Sequence, residues 1–409
     1  MPSAPNSLLR DGWLAQLCVA RALMMFIFMT YAAALPLLRT EWDMSGTAAG
    51  SIATASQLAY AGSLMFFSWL ADRIGARRVF LASGVATAVA TAAFALAARS
   101  YVSGLVLYSL VSLTSGGTYT TMIMLFADRY PPERRGAAVG WFIASGSLGY
   151  AISLALTGVA LPHGGYPLAF FLTAMGSVIG IAVAAFALRD TANIVHPRRA
   201  GQAFGTEVLK NRETMLLIAG YTAHSWELLG MWAWAPAFLA ASFALSGSQA
   251  LESAQLGAYG AAAFNVMGLL ASWSMGRLSD DLGRRTVLIG CAGISTLCSF
   301  AWGFMVTWPA LAVLVVGAIY SFCALGDSPV LSAAVTETVS PAYLGAALAV
   351  RSLLGFGAGA IAPLVFGMIL DATNPERATA AAWGWPFVTL GIGGLIATLC
   401  AWRLPRPSA

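Results

Sequence analysis

The stretch Gly276-Arg-Leu-Ser-Asp-Asp-Leu-Gly-Arg-Arg285 constrains this chain most, because the sequence contains it twice. Ser68-Trp-Leu-Ala-Asp-Arg-Ile-Gly-Ala-Arg-Arg78 superimposes on it, with Asp72 on Asp280 and Gly75 on Gly283, at an offset of 208 residues in a chain of 409. Each copy is a short charged loop between two long apolar runs. A recurrence at the half-length makes the protein two similar halves, each turning on this loop. Other matches extend the symmetry: Asp128 pairs with Glu337, and Gly136-Ala-Ala138 with Gly345-Ala-Ala347.

The pattern G-x-L-x-D-x-x-G-R-R between a second and a third membrane helix resembles the signature loop of the major facilitator superfamily. The second copy fits throughout, whereas the first has Ser68 at the usual glycine. The resemblance spans the chain and implies a secondary transporter. The implied fold is all-α, with twelve transmembrane helices in two pseudo-symmetric six-helix halves. It also implies a binding site between the halves and alternating access by rocking.

Composition supports a membrane chain independently. Hydrophobic residues make up 59% and charged residues 10%, which is outside the range of soluble domains. A bilayer crossing needs about 20 apolar residues, so a chain of 409 residues accommodates about a dozen helices. The net charge of +5 does not point to nucleic acid, since the basic residues lie in loops between apolar runs. Cys18, Cys291, Cys298, Cys323 and Cys400 all fall inside apolar runs and read as small core residues.

The apolar runs predict helices over Trp13–Leu38, Thr47–Leu70, Val79–Ala98, Ser103–Ala127, Ala137–Leu161 and Pro167–Leu188. The second half predicts Thr214–Ala241, Ser253–Met275, Thr286–Val306, Pro309–Thr336, Tyr343–Leu370 and Trp383–Arg403. Residues 1–188 form the first half and 214–409 the second. The piece 189–213 is the least hydrophobic and reads as a linker, carrying Arg189, Arg198, Arg199, Lys210 and Arg212, with His196-Pro197 and Gly201 against a continuous helix. Ala32-Ala-Ala34 superficially resembles a cleavage site, but the first run is long and its removal spoils the two-fold helix count. Of the 22 basic residues, 17 fall in the termini, the linker and the loops of one side, including Arg10, Arg129, Arg134, Arg135, Arg277, Arg403 and Arg406. The other side holds Arg39, Arg99 and Arg377. Both termini are therefore expected in the cytoplasm, and a bacterial plasma membrane is the expected location.

Loop charges form the first candidate group. Asp72 and Asp280 sit beside Arg73, Arg77, Arg284 and Arg285, with Asp128 and Glu337 arriving at the same level. Such ion pairs can latch the halves on the inner side, where partial burial makes each partner matter; the alternative is plain solvated charge. The resemblance also implies a conformational lock at these positions.

Four strongly charged residues remain inside the runs: Arg21, Glu227, Asp327 and Arg351. Each is expensive in lipid, so it pairs or faces a water-filled cavity. Asp327 and Arg351 lie on sequential antiparallel helices at similar depth, about 12 Å in at 1.5 Å per residue. They read either as a structural pair or as a pair broken by substrate or proton during transport. Arg21 has no carboxylate at matching depth in its own half, where Thr118 takes the place of Asp327. Its planar fork suits a carboxylate or nitrate-like anion, unless backbone carbonyls or Glu227 satisfy it.

The seventh run carries His224-Ser-Trp-Glu227, then Met231 and Trp234, spaced to one helical face. A histidine and a glutamate three apart can share a proton, which suits coupling of transport to protonation. Asp327 is the further candidate for that role. The bland reading of His224 is a core histidine satisfied by a hydroxyl. Gln57, Tyr60, Thr118, Thr121, Asn265 and Tyr320 could line a cavity or simply pack helices. Met25 and Met29 read as packing rather than soft-metal ligands.

Two departures weaken a drug-exporter reading within the family. Ser112 stands where proton–drug antiporters usually place an arginine four residues before Gly116, and Ser145-Gly-Ser-Leu-Gly-Tyr150 lacks their proline. The expected function is transport of a small anion, an organic acid or nitrate-like solute, moved with or against protons. The alternative is proton-driven efflux of apolar or cationic compounds. Neither enzymatic activity nor a cofactor, metal or nucleic-acid partner is expected; the partners are a small-molecule substrate and membrane lipid, and the chain is expected to be a monomer.

Overall fold

The structure is a computed structural model that describes residues 11–195, 206–339, 344–374 and 383–405. Arg10, His196, Pro197, Arg198, Arg199, Gly201, Arg377 and Arg406 of the sequence reading lie outside the described residues. The described residues are helical almost throughout. Ten helical stretches are long and apolar enough to cross a membrane. One of them holds two helices, because Gly164 and Gly165 have non-helical backbone angles. The 29-residue helix Gly46–Ile74 completes the twelve that the runs predict.

We number the helices α1 (Gly12–Glu41), α2 (Gly46–Ile74), α3 (Ala76–Ala97), α4 (Tyr101–Arg129), α5 (132–163) and α6 (166–187). The second half continues with α7 (Arg212–Leu245), α8 (Ala250–Leu282), α9 (Arg284–Trp302), α10 (Ala310–Thr338), α11 (Leu344–Thr373) and α12 (Gly384–Trp402). A short helix, Thr206–Lys210, lies within the stretch read as linker, and its Val208 is buried against the core of the second half.

Local chemistry sets the helix ends. Asp11 accepts from the N–H groups of Trp13 and Leu14 at the start of α1, Ser100 and Ser103 form a capping box on α4, and Asn211 accepts from Glu213 and Thr214 on α7. Gly75 and Gly283 occupy the same positive-φ conformation, at φ 94° and 84° with ψ 144° in both. This is why the repeated loop needs glycine there. The arginine two residues after this glycine plays a matched part in each copy. Arg77 donates to the carbonyls of Leu188 and Arg189 at the end of α6, and Arg285 to those of Trp402 and Leu404 at the end of α12. Each satisfies orphan carbonyls of the last helix in its half.

Two helices are broken where the sequence predicted continuous ones. α1 is interrupted at Met25, whose N–H reaches both Arg21 and Ala22 carbonyls. α4 is interrupted at Gly116, where an added Cβ would strike Ser63 and Leu64 of α2. The break comes with a close approach of backbones that only glycine permits.

The described residues of 1–34 and 55–200 form one compact unit, and those of 35–54 and 201–409 the other. The first is cored by Leu14, Leu17, Phe80, Met122, Phe126 and Phe142. The second has Leu217, Ile218, Leu288, Val330 and Val335 at its centre. Large apolar side chains such as Leu96, Leu297 and Leu311 point outward, with Leu311 73% exposed. In a bilayer that outer surface meets acyl chains. The start of α2 joins the second unit through Asp371 on α11. Its carboxylate accepts from the N–H groups of Gly46 (2.6 Å) and Thr47 (2.7 Å) and from the Thr47 hydroxyl (2.6 Å). A carboxylate from a helix 325 residues away thus caps α2. Gly46 and Gly50 permit the approach, since a Cβ on either would hit Gly367 or Pro363.

Candidate functional site

In the first unit the site is built around Arg21 on α1, one turn before the break at Met25. Its side chain is 9% exposed. The guanidinium carbon lies 5.3 Å from the ring centre of Tyr119 on α4 and 5.1 Å from that of Phe142 on α5. These two rings stack on each other with an interplanar angle of 26°. Cation–π attraction supplies part of the stabilisation that lost hydration removes. Nε and Nη1 nevertheless have no hydrogen-bond partner, and among the described residues Arg21 has no ion-pair partner. The phenols of Tyr60 on α2 and Tyr150 on α5 lie within electrostatic reach. Gly146 on α5 leaves the room beside the guanidinium; a Cβ there would stand 3.3 Å from Nε.

The softer candidates divide by whether their polar atoms are already used. Gln57 has an unpartnered Oε1, and Tyr60, one turn on, meets Phe28 edge-to-face at 6.2 Å. Thr118 is buried and donates to the Ser115 carbonyl at 2.7 Å, and Thr121 donates to that of Gly117. On α8, Asn265 donates to the Ala261 carbonyl at 3.0 Å. Tyr320 is fully buried and donates to Ser299 Oγ at 3.0 Å. Thr118, Thr121, Asn265 and Tyr320 therefore have polar atoms engaged within the bundle, whereas Gln57 and Arg21 keep some unmet.

The second unit holds a buried acid–histidine network. His224 on α7 approaches Asp327 on α10 to 3.0 Å between Nδ1 and Oδ1, with both side chains almost fully buried. The approach is close, but it lacks the alignment of a hydrogen bond, since Oδ1 has no aligned donor. On its other edge Nε2 of His224 shares a 2.9 Å hydrogen bond with Ser328 Oγ. The hydroxyl can donate or accept, so this contact suits either protonation state of the ring. The partner of Asp327 is therefore His224, and not the Arg351 that matching depth suggests. Arg351 on α11 donates to Ser332 Oγ at 3.0 Å and lies 3.7 Å over the Tyr221 ring.

Glu227 faces a different set of helices, although it is only one turn from His224. Oε1 accepts from Ser295 on α9 at 2.9 Å, and the other oxygen rests against Gly394 on α12, where a Cβ would come within 2.7 Å. Tyr320 on α10 also lies within its electrostatic reach. Met231 and Trp234 continue the buried face, as the spacing predicts, but they pack: Trp234 stacks on Phe366 at 5.0 Å and donates to the Pro363 carbonyl. Tyr119, Phe142, Ser295 and Ser328 are neighbours that sequence reading missed. Only their helical phase could have revealed them.

The loop charges organise differently in the two copies. In the second, Arg284 bridges Asp280 at 2.6 Å and Glu337 at 2.9 Å, tying the α8–α9 loop to the end of α10. In the first copy Ala76 stands at the position of Arg284, Arg73 lies 3.9 Å over Trp69, and Arg77 caps α6. Asp72 and Asp128 have partners of their own.

Comparison with known proteins places this geometry in a family. The sequence profile of the Major Facilitator Superfamily matches residues 17–275 and 261–409. The cis,cis-muconate transport protein of Acinetobacter baylyi is 22% identical over 369 residues, covering 87% of this chain and 84% of the relative. The probable sulfoacetate transporter SauU of Cupriavidus necator is 23% identical, covering 88% of this chain and 87% of the relative. Among solved structures, the nucleoside transporter NupG superimposes with a TM-score of 0.77 at 15% identity, covering 97% of this chain and all of that one. A bacterial homologue of the human lysosomal transporter Spinster, inward-facing and occupied, gives 0.75 at 18% identity, covering 99% of this chain and all of that one. Alternating access and proton coupling are typical of this family. The chain belongs to the Major Facilitator Superfamily and is an integral membrane secondary transporter of a small-molecule substrate.

Proposed function

We propose that this transporter carries a small anion, an organic acid or nitrate-like solute, coupled to protons, as a monomer in a bacterial plasma membrane. The observation that carries the reading is Arg21. A guanidinium 9% exposed, with two nitrogens unmatched and no carboxylate paired to it among the described residues, is costly unless an anion completes it. A planar carboxylate or nitrate offers oxygens in the geometry of that fork. Two relatives covering most of the chain carry names of anion transporters, for muconate and sulfoacetate, which favours the same class. Tyr60, within electrostatic reach of Arg21, and Gln57, one turn before it on α2 with an unmet Oε1, supply neutral polar contacts for orientation.

The protonatable partner is the network of His224, Asp327 and Glu227. Buried acids and a histidine, with the Ser328 hydroxyl on His224 and the Ser295 hydroxyl on Glu227, suit the uptake and release of a proton. The loop charges around Asp280, Arg284 and Glu337, with Asp72, Arg73, Arg77, Asp128 and Arg285, act as a latch on the conformational cycle. Purified protein should be stabilised against heat by small carboxylates or sulfonates and not by their amides. Stabilisation by amides as strong as by the acids would remove the anion reading.

A second reading, proton-driven export of apolar or cationic compounds, is favoured by one feature. An apolar groove opens between α7, α11 and α12, lined by Met215, Ile218, Trp226, Leu354, Ile392 and Ile396. Lipophilic cations that stabilise the protein while every anion fails would select that reading.

A further inference from the structure

The apolar groove between α7, α11 and α12 has a chemistry that selects its occupant. Its volume is about 520 Å³, within the range of about 300–1,000 Å³ of small-molecule sites. Met215, Ala219 and Trp226 line it from α7, Leu354 from α11, and Ile392 and Ile396 from α12. It opens outward, since Leu354, Ile392 and Ile396 are 44%, 50% and 46% exposed. The polar side chains on it are already used. The Thr222 hydroxyl donates to the Ile218 carbonyl, that of Thr389 to the Pro386 carbonyl, and the Trp226 indole to the Thr389 carbonyl. No acid lines the groove, so a lipophilic cation finds no counter-charge there. The surface fits hydrocarbon.

Its length fits one leaflet. From Met215 to Trp226 is eleven residues, about 16 Å at 1.5 Å per residue and about half of a hydrocarbon core of about 30 Å. On α7 and α12, Trp226 and Thr389 are the lining residues farthest from the linker side, and the hydrogen bond between them closes the groove there. A partner transmembrane helix needs the full thickness, whereas an acyl chain of a single leaflet ends at this depth.

The other end is the mouth, where α7 starts and α12 ends; Leu217, Ala401 and Leu404 share one core cluster there. Arg212 lies seven residues before the lining Ala219, and Arg403 seven after the lining Ile396. Seven residues return a helix to the same face, and the helical backbone of α12 reaches Arg403, whose N–H donates to the Leu399 carbonyl. Both arginines are exposed, and among the described residues neither has an ion-pair partner. Arg403 is not spent on capping, because Arg285 already holds the Trp402 and Leu404 carbonyls. Glu213 is two residues from Met215 and so lies on the opposite side of α7. The positive end of the α7 dipole adds to the two charges.

We propose that the groove holds one acyl chain of an anionic phospholipid from the linker-side leaflet, with its phosphate bound by Arg212 and Arg403. Basic residues at helix ends beside a membrane surface attract anionic headgroups, and the groove below them supplies the place for the chain. A resident lipid also removes the feature that favours the second reading of transport.

The test titrates purified full-length protein in neutral detergent with dioleoyl phosphatidylglycerol or dioleoyl phosphatidylcholine and counts bound lipid by native mass spectrometry. The parent should retain one phosphatidylglycerol at least about ten-fold more tightly than phosphatidylcholine, as two basic residues near a headgroup allow. Arg212→Gln/Arg403→Gln should lose that preference. Arg78→Gln/Arg189→Gln removes the same charge from exposed residues of the first unit and should keep it. Ala219→Phe fills the groove from an exposed position and should weaken both lipids by at least about ten-fold. Glycerol 1-phosphate, a headgroup without chains, should not compete at the same concentration. Should Ala219→Phe fail to fold, phosphatidylglycerol brominated in its chains is the second probe, and it should quench the parent's tryptophan fluorescence more than that of Trp226→Phe. Equal affinity for the two lipids in the parent, or a preference that survives Arg212→Gln/Arg403→Gln, overturns the proposal. So does competition by glycerol 1-phosphate, equal quenching with and without Trp226, or a lipid-free dimer that Ala219→Phe separates.

Discussion

Breaking the contact between His224 and Asp327 has an effect that can be worked out beforehand. At 3.0 Å, two unit charges in an effective dielectric near 20 attract by about 5–6 kcal/mol. Desolvation takes back several kcal/mol for side chains this deep, leaving a pair coupling of about 2–4 kcal/mol. A neutral histidine would instead contribute a hydrogen-bond-like coupling of about 1 kcal/mol. Asp327→Asn and His224→Gln should each cost about 3–5 kcal/mol, because each strands a buried partner. The double variant should recover much of that loss. Unfolding in mixed micelles, followed by circular dichroism for the parent, both singles and the double, gives the coupling directly. A value of about 2 kcal/mol or more assigns a charged pair, and about 1 kcal/mol a neutral one. If the singles add to within about 0.5 kcal/mol, the two residues do not act as a pair.

Other expectations follow from the same contacts. Glu227→Gln keeps an acceptor for Ser295 and mimics the protonated acid, so exchange of substrate down its gradient should survive while accumulation driven by a pH gradient is lost; undiminished accumulation moves coupling to Asp327. Asp371→Ala removes three acceptor contacts from the start of α2 and should cost about 1–2 kcal/mol in the same unfolding assay, with Asp371→Asn falling between; an unchanged midpoint would show that water replaces the cap. Arg284→Ala separates Asp280 from Glu337. These are half-exposed groups, so stability should change by no more than about 1 kcal/mol, while cysteines placed near Thr121 should become more accessible from the inner side. Unchanged labelling would remove the latch.

The helix count and the two-fold repeat were legible because lipid leaves a backbone few options. Runs of apolar residues announced the crossings, and Asp72, Gly75 and Arg77 recur as Asp280, Gly283 and Arg285 with the same backbone and capping geometry. Arg21 and the acids were legible as expensive residues. Their partners were not. Depth along a helix can be counted from the sequence, but the angle around it depends on how neighbours pack. Counting suggested Arg351 for Asp327, while packing delivers His224 and turns Glu227, one turn away, toward Ser295. The Asp371 cap joins positions 325 residues apart, with only scattered glycines as a sign. The breaks at Met25 and Gly116 were likewise hidden. A local rule marks the Gly116-Gly117 pair as permissive, but the approach of α2 makes it necessary.

The account stands on Arg21 as the anion's counter-charge, and one measurement addresses that claim directly. Purified parent and Arg21→Met are compared for heat stability against matched acids and amides, together with lipophilic cations. Two charge-assisted hydrogen bonds at about 1.5–3 kcal/mol each correspond to at least about a hundred-fold in affinity. At least one carboxylate or sulfonate should therefore stabilise the parent and lose that effect in Arg21→Met. The variant without ligand should be no less stable than the parent, since it discards a buried charge that lacked a counter-ion. An anion that stabilises both proteins equally, or cations that do so while no anion does, would contradict the account.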